Sequence, residues 1–319
     1  MRARLVSGRS GAPRGGRGFA WFALVSGGGH LALTALSGRL RAEHVLADAL
    51  LMVLPWMGGR ADEFARGAFP AWIFGVLYDN QRLFLALRGR VHNADLASLE
   101  LAWVPAPGGA SWPQWFQTRT SAVLDLLSGF AYATYLLEVG VAALALFALR
   151  SARFRALGWS FLAAGALGIA GYVLYPAAPP WYMEAFGAGQ VNLAAAPSAA
   201  GALRFDALLG VDFFASFYAR NPNIFGAMPS LHAAFPVLVA WHVWDRGWRW
   251  RALSLAYAAL VWFAAVYLNH HWVLDVVAGI AVALAASGLV AVALRLSTAG
   301  AATAHPVPVA ARVDREGEP

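Results

Sequence analysis

Cysteine is absent from the 319 residues, which excludes disulfides, Cys-ligated zinc and thiol catalysis. Lysine is absent as well, so all 24 basic residues are Arg. Charge of either sign is scarce, at 13% against roughly 25% in an ordinary soluble domain. A chain of this length can bury a core, but it needs a polar surface to cover that core. With 60% hydrophobic residues and a mean hydropathy of +0.55, this composition supplies none, and the solvent must be lipid. A net charge of +7 and a pI near 10.2 would suggest nucleic acid in a soluble protein. Here the arginines flank apolar runs, as the positive-inside rule describes, and no nucleic-acid partner is expected. No repeat of 20–50 residues is present.

A spanning helix needs about 20 mostly apolar residues. The clearest runs are 121–147, 156–174, 231–244, 253–268 and 273–294, and a sixth, 69–87, carries Asp79 and Arg82 near its end. Two weaker runs precede them: 19–36, interrupted by Gly27-Gly28-Gly29-His30, and the short 44–57. The expectation is an all-α, polytopic membrane helix bundle of six core transmembrane helices, with the two early runs as an additional N-terminal hairpin. A signal peptide is the competing reading of the N-terminus. The Gly triplet and the lack of a small-residue cleavage site count against it.

Arg150, Arg153 and Arg155 share one short connection and Arg246, Arg249 and Arg251 another, which places both in the cytoplasm. Arg2, Arg4, Arg9, Arg14 and Arg17 at the start and Arg312 and Arg315 in the tail fit the same side. Counting spans puts 89–120, 176–229 and the Asn269-His270 turn on the opposite face, where Trp112, Trp115 and Phe116 suit an interfacial aromatic belt. The protein is expected in the cell membrane, multi-pass. The segment 176–223 is too long for a passive turn.

Membrane spans rarely keep ionisable residues without a functional reason. Met228-Pro229-Ser230-Leu231-His232 opens one apolar run, and Asn269-His270-His271-Trp272-Val273-Leu274-Asp275 opens another at the same predicted face. His271 and Asp275 are four residues apart, one turn of a helix. A carboxylate there fixes the imidazole tautomer and leaves the other ring nitrogen free to attack an electrophile. His232 is placed to act as general acid toward a leaving oxygen, and Ser230 with the N–H groups of a helix start to hold anionic oxygens. The bland readings are a chance His-x-x-x-Asp, and a Ser that merely caps its helix. His232, His270, His271 and Asp275 could also ligate zinc, but no HExxH signature is present, and neither metal nor cofactor is expected. His242 falls at the cytoplasmic end of its helix, His305 in the tail, and His30 and His44 on a loop or helix surface.

Together the two clusters resemble the second and third motifs of the type-2 phosphatidic acid phosphatase superfamily, Pro-Ser-x-His and Ser-Arg-x5-His-x3-Asp. The match is closer to its inositolphosphotransferase branch, which includes inositol phosphorylceramide synthase. That branch carries Phe-Gly-Ala-x-Pro-Ser-Leu-His, found here from Phe225 to His232, and Tyr-Leu-x-His-His, found from Tyr267 to His271. Pro179-Pro180-Trp181-Tyr182 stands where its first motif belongs. The resemblance implies that His271 forms a phosphohistidine, that Asp275 orients it, that His232 is the acid–base residue, and that Ser230 belongs to the phosphate pocket. His270 and Tyr182 are further substrate-binding candidates. It also implies a membrane lipid as substrate and a catalytic domain over 65–296. Residues 1–18 then form a basic tail, 19–64 the extra hairpin and 297–319 a disordered tail.

The pattern departs from the superfamily in its cations. The first-motif region has no basic residue, and the third-motif Arg position is Ala265. A phosphodiester, with one negative charge, suits such a pocket better than a monoester with nearly two. Arg82 and Arg220 are candidates to compensate, although Arg82 has an alternative ion-pair partner in Asp79 and Arg220 an alternative place as a solvated loop charge. Hydrolysis and head-group transfer share the phosphohistidine step. A proton-coupled lipid transporter or flippase-like protein is the alternative from another class; it predicts inverted repeats and broken mid-membrane helices, which the sequence does not display.

Overall fold

The computed structural model describes residues 17–189 and 191–304. Arg2, Arg4, Arg9 and Arg14 of the expected basic tail, and 305–319 of the expected disordered tail, lie outside the described residues. Among the described residues the protein is all-helical, with only isolated β-bridges joining His92, Ala177 and Gly226. An N-terminal hairpin, α1 (Gly18–Leu36) and α2 (Ala42–Met57), leads into α3 (Gly59–Asp79). A 3-10 turn (Gln81–Leu87) and two short helices, α4 (Ala94–Trp103) and α5 (Trp112–Gln117), follow. The long α6 (Ala122–Ala148) and α7 (Arg153–Leu174) come next. A second irregular segment holds α8 (Pro180–Phe186), α9 (Leu203–Leu209) and α10 (Phe213–Tyr218). The chain closes with α11 (Leu231–Val243), α12 (Trp248–Tyr267) and α13 (Val273–Ala304).

Among the described residues, five helices are long and apolar enough to cross a membrane: α1, α6, α7, α12 and α13 through Ser297. The protein is a polytopic membrane bundle, but its spans differ in detail from the hydropathy runs. The first early run gives a helix of 19 residues that qualifies as a span beside the core ones. The run at 231–244 makes only 13 helical residues before a 3-10 turn at Trp244–Arg246. The run at 69–87 is shifted: its helix begins ten residues earlier, at Gly59, and ends at Asp79. Hydropathy misses the start because those turns are polar, yet Arg66 pairs with Asp62 one turn away and Arg60 lies over the Phe147 ring. α13 likewise runs on past the expected tail boundary to Ala304.

Two ends of the bundle are chemically distinct. At one, Arg153 pairs with Asp245 and Arg60 donates to the Phe147 carbonyl, tying the arginine-bearing connections together. At the other, the short helices are stitched onto the ends of the long ones. Trp181 N–H donates to Asn269 O (3.1 Å), Gly201 N–H to Leu268 O (2.9 Å) and Gln117 to Tyr267 O (3.0 Å). Asp125 at the start of α6 accepts from both Arg204 and Tyr267, a buried charge with two partners.

The core follows from aromatic and small residues meeting. Phe74, Phe161 and Phe235 from α3, α7 and α11 stack edge-on around a cluster of buried aliphatics. Glycine is required where backbones touch. A Cβ on Gly279 of α13 would fall on the carbonyl oxygen of Ser230, just before α11. Gly279→Val should therefore lower the thermal midpoint of the detergent-solubilised protein, followed by tryptophan fluorescence, through an overpacking cost of about 1–3 kcal/mol. It should also depress turnover, because the helix starts it separates carry His232 and His271.

Candidate active site

Two helix starts meet at the end of the bundle covered by the short helices. Ser230 N–H donates to the Asp275 carbonyl (3.0 Å), which locks the approach to α11 against the first turn of α13. The Ser230 hydroxyl accepts from Ala233 N (3.2 Å) and caps α11. The residue is fully buried and does not line the cavity described below, so the capping reading holds for its side chain.

His271 lies in the turn before α13. Its Nδ1–H donates to the Ala227 carbonyl (3.0 Å), and Asp275 Oδ2 stands 3.5 Å from the same nitrogen. Asp275 is wholly buried and also accepts from Trp272 N (2.9 Å). The carboxylate is thus close, as the spacing predicts, while a main-chain carbonyl makes the shorter contact. With Nδ1 committed, Nε2 carries the lone pair, and it faces His232 Nδ1 at 3.3 Å. The His232 ring stacks on Tyr132 (centroids 4.1 Å apart), whose hydroxyl is 3.2 Å from Nδ1.

Glu100 is a support that no sequence marker reveals. It is fully buried in α4, and its two oxygens accept from Val273 N (2.9 Å) and Leu274 N (3.1 Å), capping α13 from outside. Burial raises its carboxyl above the ordinary range, and those two N–H donors pull it back.

Both histidines open onto a cavity of about 280 Å³ whose wall includes Tyr78, Tyr132, Tyr135, Tyr172 and Tyr218. Arg220 lines it, as does Arg41, which the sequence reading passed over. The signal was available: Arg39 and Arg41 sit in a connection on the outer side by the span count, against the positive-inside trend. Asp79 also lines the cavity, but its partners are Arg41 and His44 rather than Arg82. Arg82 lies on the 3-10 turn beyond the end of α3 and joins Arg39, Arg41 and Arg220 around an adjoining depression. The cations missing from the motifs are therefore brought in by other segments.

Tyr182 turns out differently. Tyr182 is buried among Phe186 and Phe225, and its hydroxyl accepts from Asn192 N (2.7 Å), so it builds the outer segment and does not line the cavity. His30 and His44, expected on a surface, are buried beside one another. His270 is also buried. It sits between the rings of Tyr132 and Tyr218 and makes a 3.0 Å hydrogen bond to the Ala199 carbonyl. Among the described residues no three His, Asp or Glu side chains converge as a metal site.

Residues 99–289 match the family model of the PAP2 superfamily, and the chain belongs to that superfamily. It is a membrane-embedded enzyme of the lipid phosphatase and phosphotransferase class. A phosphoinositol dihydroceramide synthase of Bacteroides thetaiotaomicron is 34% identical over 263 residues, covering 80% of this chain and 85% of the relative. The inositol phosphorylceramide synthase of Candida albicans is 32% identical over 165 residues, 51% of this chain and 35% of its own. The catalytic subunit of the Saccharomyces cerevisiae enzyme is 34% identical over 106 residues, 33% of this chain and 26% of its own. The chain thus spans about a third or less of the length of these fungal relatives. No solved structure matches it.

Burial, with the neighbouring His271 second, lowers the pKa of His270 to about 3, so the folded protein holds this ring neutral. The unfolded chain binds a proton near pH 6.5, the folded one only near 3, so the stability His270 contributes is present above 6.5 and lost as pH falls through that window. His270→Phe should flatten the decline of the thermal midpoint between pH 7 and pH 4, measured against the unsubstituted protein in the same detergent.

Proposed function

We propose that the protein transfers a phosphoinositol-type head group between lipid alcohols through a phosphohistidine on His271. The observation that carries this is the ring pair on the cavity wall: His271 Nε2 faces His232 at 3.3 Å while its Nδ1–H is held by Ala227. In the first half-reaction the Nε2 lone pair attacks the phosphorus of a lipid phosphodiester. The bond from phosphorus to the lipid oxygen breaks, and protonated His232 gives that oxygen its proton, leaving a lipid alcohol and a phosphohistidine. In the second, neutral His232 takes the proton of an acceptor hydroxyl as its oxygen attacks phosphorus, and the P–N bond breaks to restore His271. Asp275 offsets the imidazolium charge that develops, and Arg41 and Arg220 face the phosphate oxygens. The names of the relatives support inositol phosphate as the group moved and a ceramide-type lipid as the acceptor.

His271→Ala should abolish both donor cleavage and transfer, by about 10⁴-fold or more, because no other nucleophile takes its place. Asp275→Asn should retain the fold and lose a large part of the rate. The assay uses purified protein, an inositol-bearing phospholipid and a ceramide-type alcohol, with product followed by labelled inositol. Full turnover by His271→Ala would overturn the mechanism, and release of free inositol phosphate at the same rate without acceptor would make the enzyme a hydrolase.

The active-site end is proposed to face the non-cytoplasmic side, opposite the Arg150–Arg155 and Arg246–Arg251 connections. The absence of native cysteine makes labelling direct. A Cys at exposed Gly189 should react with a membrane-impermeant maleimide in intact cells, and one at exposed Arg249 only after lysis. The reverse pattern would invert the topology.

A further inference from the structure

A second cavity, of about 510 Å³, lies beside the active site between α2, α3 and the α6–α7 pair. That volume is in the range of small-molecule sites. Its walls are apolar (Leu51, Leu54, Phe64, Phe69 and Phe161 among them), and it shares Arg41, Tyr78, Asp79 and Leu136 with the catalytic cavity, so the two are neighbours through one wall. Leu50 and Leu136, which line it, are 46% and 42% exposed on the apolar outer surface, so the cleft borders the lipid. Most of it is built from residues 30–79, outside the segment that matches the family model.

Its polar atoms are unusual. His30 Nδ1–H donates to Asp48 Oδ2 (2.8 Å), and Trp72 Nε1–H occupies the other oxygen (2.6 Å). His44 Nε2 lies between Asp79 Oδ2 (2.5 Å) and the Arg41 Nη2 donor (2.8 Å), and Arg41 also pairs with Asp79. His30 then keeps a lone pair on Nε2, and the remaining nitrogen of His44 is Nδ1. Both atoms are buried and have no hydrogen-bond partner among the described residues. Both residues line the cleft and are more than nine-tenths buried. An unpaired buried polar atom is costly, so such a pair marks where a ligand's polar groups belong, with a donor at His30 Nε2. The two rings lie edge to face, centroids 5.3 Å apart, where the end of α1 meets the start of α2.

We propose that this cleft seats the acceptor lipid, its alkyl chain against the leucines and phenylalanines, and that His30 selects an alcohol carrying a further N–H or O–H donor. The inference rests on the phosphotransfer reading above. It separates acceptor from donor by chemistry: ester carbonyls only accept hydrogen bonds and leave His30 Nε2 unpaired, whereas an N-acylated amino alcohol brings an amide N–H and hydroxyls. The shared wall at Arg41 and Asp79 is where the reacting hydroxyl passes toward His271.

Gly75 on α3 offers a gentle test. It lines the cleft, and a Cβ there meets nothing within 4 Å, so Gly75→Leu fills the cleft without displacing a neighbour. His30→Phe removes one lone pair at similar ring size. Full-length protein is assayed with one inositol phospholipid donor and three acceptors: an N-acylated long-chain amino diol, a plain alcohol of the same chain length, and a short alcohol. Each transfer rate is divided by that variant's own rate of donor cleavage. The unsubstituted protein should prefer the amino diol over the plain alcohol roughly tenfold or more, since a missing donor leaves a buried acceptor unpaired. His30→Phe should cut that preference to about twofold or less, and Gly75→Leu should raise KM for both long acceptors while sparing the short one. Transfer that does not discriminate, or a Gly75→Leu enzyme with unaltered KM for the long acceptors, overturns the cleft assignment alone. Donor cleavage with transfer to none of the three overturns the phosphotransfer reading beneath it.

Discussion

The site depends on two helix starts being held in contact inside the bundle. The N–H of Ser230 reaches the carbonyl of Asp275, and the carbonyl of Ala227 takes the Nδ1 proton of His271. The backbone of one motif thereby fixes both the position and the tautomer of the histidine in the other. Gly279 makes the contact sterically available, since any side chain there would meet the Ser230 carbonyl. In an apolar surrounding these main-chain groups have no water to fall back on, so each hydrogen bond is also a constraint on geometry. The His271 ring is aimed by backbone as much as by the aspartate one turn away.

A second tier of polar residues supports those starts from outside the bundle. Glu100 caps α13 across a gap of more than 170 residues in sequence, and Asn269 holds Glu184 at 2.6 Å as α8 folds over the turn. Arg204, Asp125, Gln117 and Tyr267 fasten α5, α6, α9 and the end of α12 into one polar knot. The long irregular segments therefore have a structural task besides lining the cavity: they satisfy the ends of helices that would otherwise carry unpaired groups near lipid.

The N-terminal hairpin is joined to the same problem. Arg41 comes from its connection and pairs with Asp79 at the end of α3, on the rim between two cavities. The superfamily segment, 99–289, holds the histidines and Asp275, while the residues before it contribute Arg41 and the walls of the adjoining cleft. The histidines and Arg220 thus come from the family segment, and Arg41 from the residues before it.

Composition and periodic hydropathy determined the membrane class, most of the long helices and the pair of polar clusters that open two of them, because those signals are local and lipid tolerates few exceptions. Motif spacing was enough to put His232, His271 and Asp275 in one neighbourhood. It could not show that Ser230 spends its hydroxyl on a cap, that Tyr182 turns into an aromatic core, or that Asp79 meets Arg41 in place of Arg82. Nor could it show His30 and His44 buried together. Each of these is a choice of partner among residues distant in sequence, and a side chain's partner is set by which helices pack face to face. Only the tertiary structure decided that.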